Sequence, residues 1–130
     1  MKTHSRRSWA LLAGMLLLAG CQPLKVEKTL HATVGAVHRI DISPPRFEQK
    51  VTARISSPGA PVSAYLVLKD DSEAAKNLMM ENKAPATPLA GKDKAEDITL
   101  EATVPSGTEF VLLLRADKKD ADVTVKMTGR

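Results

Sequence analysis

Three stretches of this chain alternate between apolar and polar residues. Phe47, Val51, Ala53 and Ile55 fall on one face of the first, with Glu48, Lys50, Thr52 and Arg54 on the other. Ile98, Leu100, Ala102 and Val104 oppose Thr99, Glu101 and Thr103 in the second. Val123, Val125 and Met127 oppose Thr124, Lys126 and Thr128 in the third. A period of two is the mark of a half-buried strand. Two more runs, Ala64 to Leu68 and Phe110 to Leu114, are apolar on both faces and predict the inner strands of a sheet. Val37 to Ile42 is a further strand, with Arg39 and Asp41 flanking Ile40.

Turn residues separate these runs. Ser43-Pro44-Pro45, Ser57-Pro58-Gly59-Ala60-Pro61, Pro105-Ser106-Gly107 and the segment Asp117 to Asp120 each interrupt the pattern. Six strands at this spacing predict a mainly β fold, a small antiparallel β-sandwich of jelly-roll-like form. One segment departs from it. Ser72 to Lys83 has helix formers, no β-branched residue and no proline. Asp70 with Glu73 reads as a capping box with aspartate as the cap. Ala75, Leu78 and one of Met79 and Met80 are expected to pack inward. The outer side then presents Lys76, Asn77, Met80 and Lys83 to a partner. The proline-spaced Ala84 to Pro88 and the polar Gly91 to Asp97 follow, so residues 70–97 read as a long insertion between two strands. Such an insertion is either a recognition element or a cover for an open part of the sheet.

The N-terminus has a different organisation. Lys2, Arg6 and Arg7 make a basic start, Trp9 to Leu18 an apolar middle, and Ala19-Gly20 a pair of small residues. This is the architecture of a secretory signal peptide, and the apolar part is short of the roughly 20 residues a membrane-spanning helix needs. Leu18-Ala19-Gly20-Cys21, which holds the one cysteine of the chain, resembles the lipobox of bacterial lipoproteins. The resemblance implies cleavage between Gly20 and Cys21, a diacylglyceryl thioether on the Cys21 sulfur and a further acyl chain, such as palmitate, on its amine. Multiple chains hold where a single one binds marginally. Gln22 stands where proteobacterial lipoproteins kept in the inner membrane carry aspartate, which implies the outer membrane, on its periplasmic or surface side. Ser5-Arg6-Arg7 touches on twin-arginine export, but without the flanking residues, so the general secretory route is the expectation.

Cleavage there divides the chain into a signal peptide over 1–20, a lipidated tether over 21–30 and a sandwich domain over 31–130. As a flexible coil the tether reaches roughly 15–18 Å; Val26, Lys28 and Leu30 equally begin a first strand. Three of the 19 basic residues leave with the signal, so the mature part has 16 against 15 acidic ones. Its near-neutral charge gives no support for nucleic-acid binding. Lipidation consumes the sulfur, so no disulfide staples the domain and the fold rests on packing.

The order of elements in residues 35–128 resembles the bacterial pre-peptidase C-terminal domain and related jelly-roll modules. The similarity lies in a Pro-Gly turn leading into Ala64-Tyr65-Leu66-Val67-Leu68. It continues in Pro105-Ser106-Gly107-Thr108-Glu109-Phe110-Val111-Leu112-Leu113 ahead of a last strand, Val123 to Met127. The helical insertion departs from that pattern. The resemblance implies a non-catalytic accessory module and carries over no functional residue.

The chemistry-bearing residues are sparse. His31 and His38 make a poor metal site by themselves. Asp70, Asp71 and Glu73 do not match a calcium loop and are accounted for by helix capping. Ser56, Ser57, Ser63 and Ser106 lie in no nucleophile elbow, and no phosphate loop or dinucleotide fingerprint occurs. Phe47, Tyr65 and Phe110 are the aromatic residues left after cleavage, too few for stacking on nucleic acid. The sequence therefore predicts no enzyme, no cofactor and no metal. It predicts a membrane-anchored envelope lipoprotein that acts as a protein-binding or structural module with an envelope protein as partner. The alternative is a lipoprotein that binds a small ligand or glycan.

Overall fold

A computed structural model of the chain describes residues 24–130. Cys21, Gly20 and the signal segment lie outside the described residues. The elements follow the order β1 (Lys25–Ala32), β2 (Val37–Ile42), β3 (Gln49–Ser56), β4 (Val62–Leu68), a 3-10 turn (Lys69–Asp71), α1 (Ser72–Met80), β5 (Ala90–Ala95), β6 (Asp97–Val104), β7 (Phe110–Ala116) and β8 (Ala121–Gly129). They form two four-stranded sheets, ordered β1-β8-β3-β6 and β2-β7-β4-β5. All strand pairings within them are antiparallel. The fold is a β-sandwich with jelly-roll strand order.

The alternating runs set the register. In an antiparallel sheet, residues directly opposite each other share a face. Ile55 pairs with Ile98 on one side and Val125 on the other, and Ala53 pairs with Leu100 and Met127. These residues turn inward and are buried, as are Val51, Val104 and Val123. The second sheet answers with Ile40, Ile42, Ala64, Leu66, Phe110, Leu112 and Leu114, and the two layers make one core. The opposite face of the first sheet carries Thr99, Glu101, Lys126 and Thr128, all exposed.

The two runs that are apolar on both faces, β4 and β7, are the inner strands of the second sheet. Their outward residues Tyr65, Val67, Val111 and Leu113 form a second cluster with Ala75 and Met79 of α1. The helix therefore lies across this sheet. β4 and β5 are hydrogen-bonded neighbours, and residues 69–89 detour from what would otherwise be a hairpin to make that cover.

Four expectations need correction. Two strands join the six. β1 takes residues 25–32 along the whole of β8, so most of the expected 21–30 tether is sheet, and the first-strand alternative is the one realised. β5 occupies the polar Ala90–Ala95, where its ladder with β4 matters more than its residue pattern. Phe47 does not reach the core. The loop before β3 is held by Gly107 N–H donating to the Pro45 carbonyl at 2.8 Å and by Ser106 Oγ donating to the Arg46 carbonyl at 2.7 Å. β3 thus starts only at Gln49, which is buried in the place of an aromatic residue, while Phe47 is 45% exposed. The aspartate cap is also absent. A 3-10 turn leads into α1, so its N-cap residue, Asp71, is already in helical backbone geometry and makes no side-chain cap bond. Ser72 Oγ instead donates to the Lys69 carbonyl at 2.6 Å and accepts from Arg39 Nη1 at 3.2 Å.

The register is testable with a pair of neighbours. Leu100→Asp puts an unpaired charge into the core and is expected to unfold the domain. Thr99→Asp, on the solvent face, is expected to stay within about 0.5 kcal/mol of the parent. Chemical denaturation followed by circular dichroism separates the two, and equal losses would refute the register.

Candidate protein-binding surface

The outer side of α1 is the surface the sequence singles out, and the polar groups at its C-terminal end hold it in place. The helix stops at Met80 rather than Lys83. Asn82 has φ +60°, its N–H donates to the Met79 carbonyl at 3.0 Å, and the Lys83 N–H donates to the Leu78 carbonyl at 2.9 Å. This left-handed closing turn satisfies the last carbonyls, and asparagine tolerates the conformation. The turn also aims the Asn82 side chain at β7, where Oδ1 accepts from Arg115 Nη1 at 3.1 Å.

Arg115 belongs to a half-buried polar cluster. Its Nη1 lies 3.5 Å from Asp117 Oδ1, with the two side chains 15% and 6% exposed. Ser63 Oγ donates to the Asp117 carboxylate at 3.2 Å and accepts from the Lys94 N–H at the same distance. Between Lys92 and Ala95 the β5 strand bulges, and Lys94 takes φ +50°. The Tyr65 hydroxyl donates to Asp93 within this bulge. Burial first, then the bond to Asp93 and its charge, drive the Tyr65 phenol well above its usual pKa. The Tyr65 ring lies against Gly91, its cross-strand partner; a Cβ at Gly91 would sit 2.1 Å from the ring. The cluster thus fastens the insertion at both its helix and its strand. The space it encloses, about 10 Å³, is at the lower limit for one water molecule.

Of the expected partner residues, Met80 is 55% exposed. Asn77 and Lys83 are exposed and Lys76 is half-buried. Lys76 and Met80 are one helical turn apart on α1, with Asn77 beside Lys76, and Lys83 follows the left-handed turn that ends the helix. Lys83 pairs with Glu81 at 3.7 Å, an exposed contact of small energy. Of the inward set, Ala75 and Met79 are buried as expected, whereas Leu78 is half-buried and outside their cluster. At the other end Arg39 anchors the helix start, with Nε 2.8 Å from Asp41 and Nη1 3.9 Å from Glu73.

The histidines are engaged separately. His38 Nε2 accepts the Thr33 N–H at 3.1 Å. His31 Nδ1 lies 2.9 Å from Asp122 and its Nε2 3.5 Å from Asp120. Sequence reasoning missed this pairing because Asp122 stands opposite His31 only through the β1–β8 register. The outer face of the first sheet holds two open depressions of about 510 and 460 Å³, lined largely by Arg54, Thr99, Thr124, Lys126, Lys50 and Thr128. Ligand pockets are mostly enclosed and apolar, whereas these are open and of mixed lining.

No family model matches the chain, and no curated protein matches it. Solved structures are similar in fold. The Yersinia pseudotuberculosis-derived mitogen shares 11% identity over 82% of this chain and 86% of its own, with a TM-score of 0.56. Aeromonas hydrophila PliG, a periplasmic lysozyme inhibitor of g-type lysozyme, shares 6% over 86% and 90%, with a TM-score of 0.56. The pre-peptidase C-terminal domain of a Bacillus anthracis collagenase shares 10% over 84% and 90%, with a TM-score of 0.46. The first two show the fold alone. Among the described residues no helix is long and apolar enough to cross a membrane.

The hydrogen bond to Asp122 is the main cause that raises the His31 pKa above 6.5. A raised pKa contributes stability that is present below the unfolded value of about 6.5 and lost as pH rises through the folded one. NMR titration of the imidazole is expected to give a midpoint above 6.5 in the parent and a lower one in Asp122→Asn. An unchanged midpoint would contradict the pairing.

Proposed function

We propose that this chain is a lipid-anchored bacterial envelope protein that binds another protein without catalysing a reaction. The observation that carries the binding part is the construction of the insertion. Residues 69–89 are ordered, fastened at the Arg39 and Arg115 ends, and leave Met80 projecting 55% exposed among Lys76, Asn77 and Lys83. An exposed methionine amid flexible cations is an adaptable contact surface. The likeness in fold to a periplasmic inhibitor of lysozyme supports a module of this kind that meets a protein partner. The anchoring part rests on the sequence Leu18 to Cys21. It implies membrane attachment through the Cys21 lipid, and Gln22 in place of the aspartate of inner-membrane lipoproteins implies an outer-membrane location on the periplasmic or surface side.

The reading of a small-ligand or glycan binder finds less support. Tyr65 and Phe110 are buried, so neither sheet face offers an aromatic platform, and the depressions on the first sheet are open and of mixed lining.

Two variants test the proposal. Cys21→Ser is expected to move the protein from the membrane fraction to the soluble one in high salt, because no spanning helix holds it among the described residues. A combined Lys76→Ala, Asn77→Ala, Met80→Ala and Lys83→Ala variant is expected to keep the parent's melting temperature within a few degrees, since the residues face outward. The same variant is expected to lose the envelope protein cross-linked to the parent in detergent-solubilised membranes. Retention of that partner would place the binding surface elsewhere.

A further inference from the structure

The point where the chain enters the sandwich is clasped. Leu24 N–H donates to Gln49 Oε1 at 3.3 Å, and the Leu24 carbonyl accepts the Gly129 N–H at 3.0 Å. Gln49 is 4% exposed. A Cβ on Gly129 would sit 2.0 Å from Gln49 Oε1 and 3.1 Å from Leu24 Cβ, so the glycine makes the clasp possible. Lys50 and Arg130 then exchange backbone hydrogen bonds at 2.8 and 3.1 Å beside it.

Leu24 is three residues from Cys21. Fully extended, that distance is about 10 Å. Most of the expected tether is strand β1, so the end of the sandwich that holds Leu24 lies near the anchor. The end of the sandwich that holds Leu24 also holds the loop between β2 and β3 and the turn between β6 and β7. Gln49 pairs with Val104, and the Pro45 and Arg46 carbonyls are bonded to Gly107 and Ser106. Phe47, two residues before Gln49, stands 45% exposed on that loop. This end is of mixed charge: Lys25, Arg46, Lys50, Lys69 and Arg130 share it with Asp41, Glu48, Glu101 and Glu109, with Lys50 3.5 Å from Glu101 and Lys69 2.8 Å from Glu109. An exposed aromatic ring close to the anchored end of the chain suits the boundary between acyl chains and head groups.

We infer that this end of the sandwich rests on the phospholipid surface, with Phe47 at the head-group boundary. The inference rests on the Cys21 anchor proposed above. It turns the clasp into an orienting device that fixes which parts of the domain face away from the bilayer.

The test uses the full chain, processed and lipidated in a bacterial host and reconstituted into vesicles of phosphatidylcholine and phosphatidylglycerol with brominated acyl chains. Trp9 leaves with the signal segment, so a single introduced tryptophan is the reporter. Phe47→Trp and Met80→Trp both replace exposed residues, and circular dichroism checks that each keeps the parent fold. For protein that floats with the vesicles, the Phe47→Trp emission is expected to shift to the blue and fall roughly twofold, as for a ring at the acyl boundary. The Met80→Trp emission is expected to stay unchanged. Floating protein whose Phe47→Trp emission is unquenched, or whose two reporters are quenched alike, overturns the orientation. Protein that does not float with vesicles overturns the anchor itself, and the orientation with it.

Discussion

Two central strands that are apolar on both faces impose the main constraint on this molecule. β4 and β7 cannot leave Tyr65, Val67, Val111 and Leu113 in water without exposing a contiguous apolar patch. The first sheet covers one face of these strands, and something else must cover the other. The insertion does so through Ala75 and Met79, and its polar ends fix it to the strands beneath. Arg39 on β2 binds Ser72 at the start of the helix, and Arg115 on β7 binds Asn82 after its end. The helix, its closing turn and the bulged strand β5 follow from one need, to seal the second sheet. The inner side of the helix seals the sheet, and the polar contacts at its two ends hold its outer side in place.

The parts of the fold that were legible in the sequence are those where burial dictates the residue type. Val123, Val125 and Met127 alternate because one face of β8 meets the core. Ala64 to Leu68 is unbroken because both faces are covered. The edge strands are illegible for the converse reason. β5 reads Ala-Gly-Lys-Asp-Lys-Ala, and its place is set by hydrogen bonds to β4, by the Tyr65 ring over Gly91 and by a bulge that no pattern announces. Polar edge residues also discourage pairing with a further chain, so they are useful where they are uninformative.

The misreadings of single residues have local causes. Phe47 looked like the first core position of β3 because alternation extends through it. The loop is pinned by backbone bonds that a sequence does not display, and the buried amide of Gln49 takes the inward place because Leu24 and Gly129 leave it a donor and a space. Asp70 resembled a cap, but a preceding 3-10 turn removed the extended backbone that a capping carboxylate requires. His31 and Asp122 are far apart in sequence and adjacent in the ladder. Of the candidate partner surface, the helical stripe was legible as a pattern. What holds it in place, the Arg115–Asp117–Asn82 cluster, was not, since its members come from two separated segments.

The functional account depends on one proposal, that the chain is cut before Cys21 and held to the membrane by lipid on that residue. The clasp at Leu24 is where such an anchor would meet the sandwich. The most direct measurement is the intact mass of the protein extracted with detergent from membranes, with fragmentation of its N-terminal peptide. The account predicts that residues 1–20 are missing and that the new N-terminal Cys21 carries diacylglyceryl and acyl mass. A membrane-derived chain that retains residues 1–20, or that begins at Cys21 with a free thiol, would contradict it.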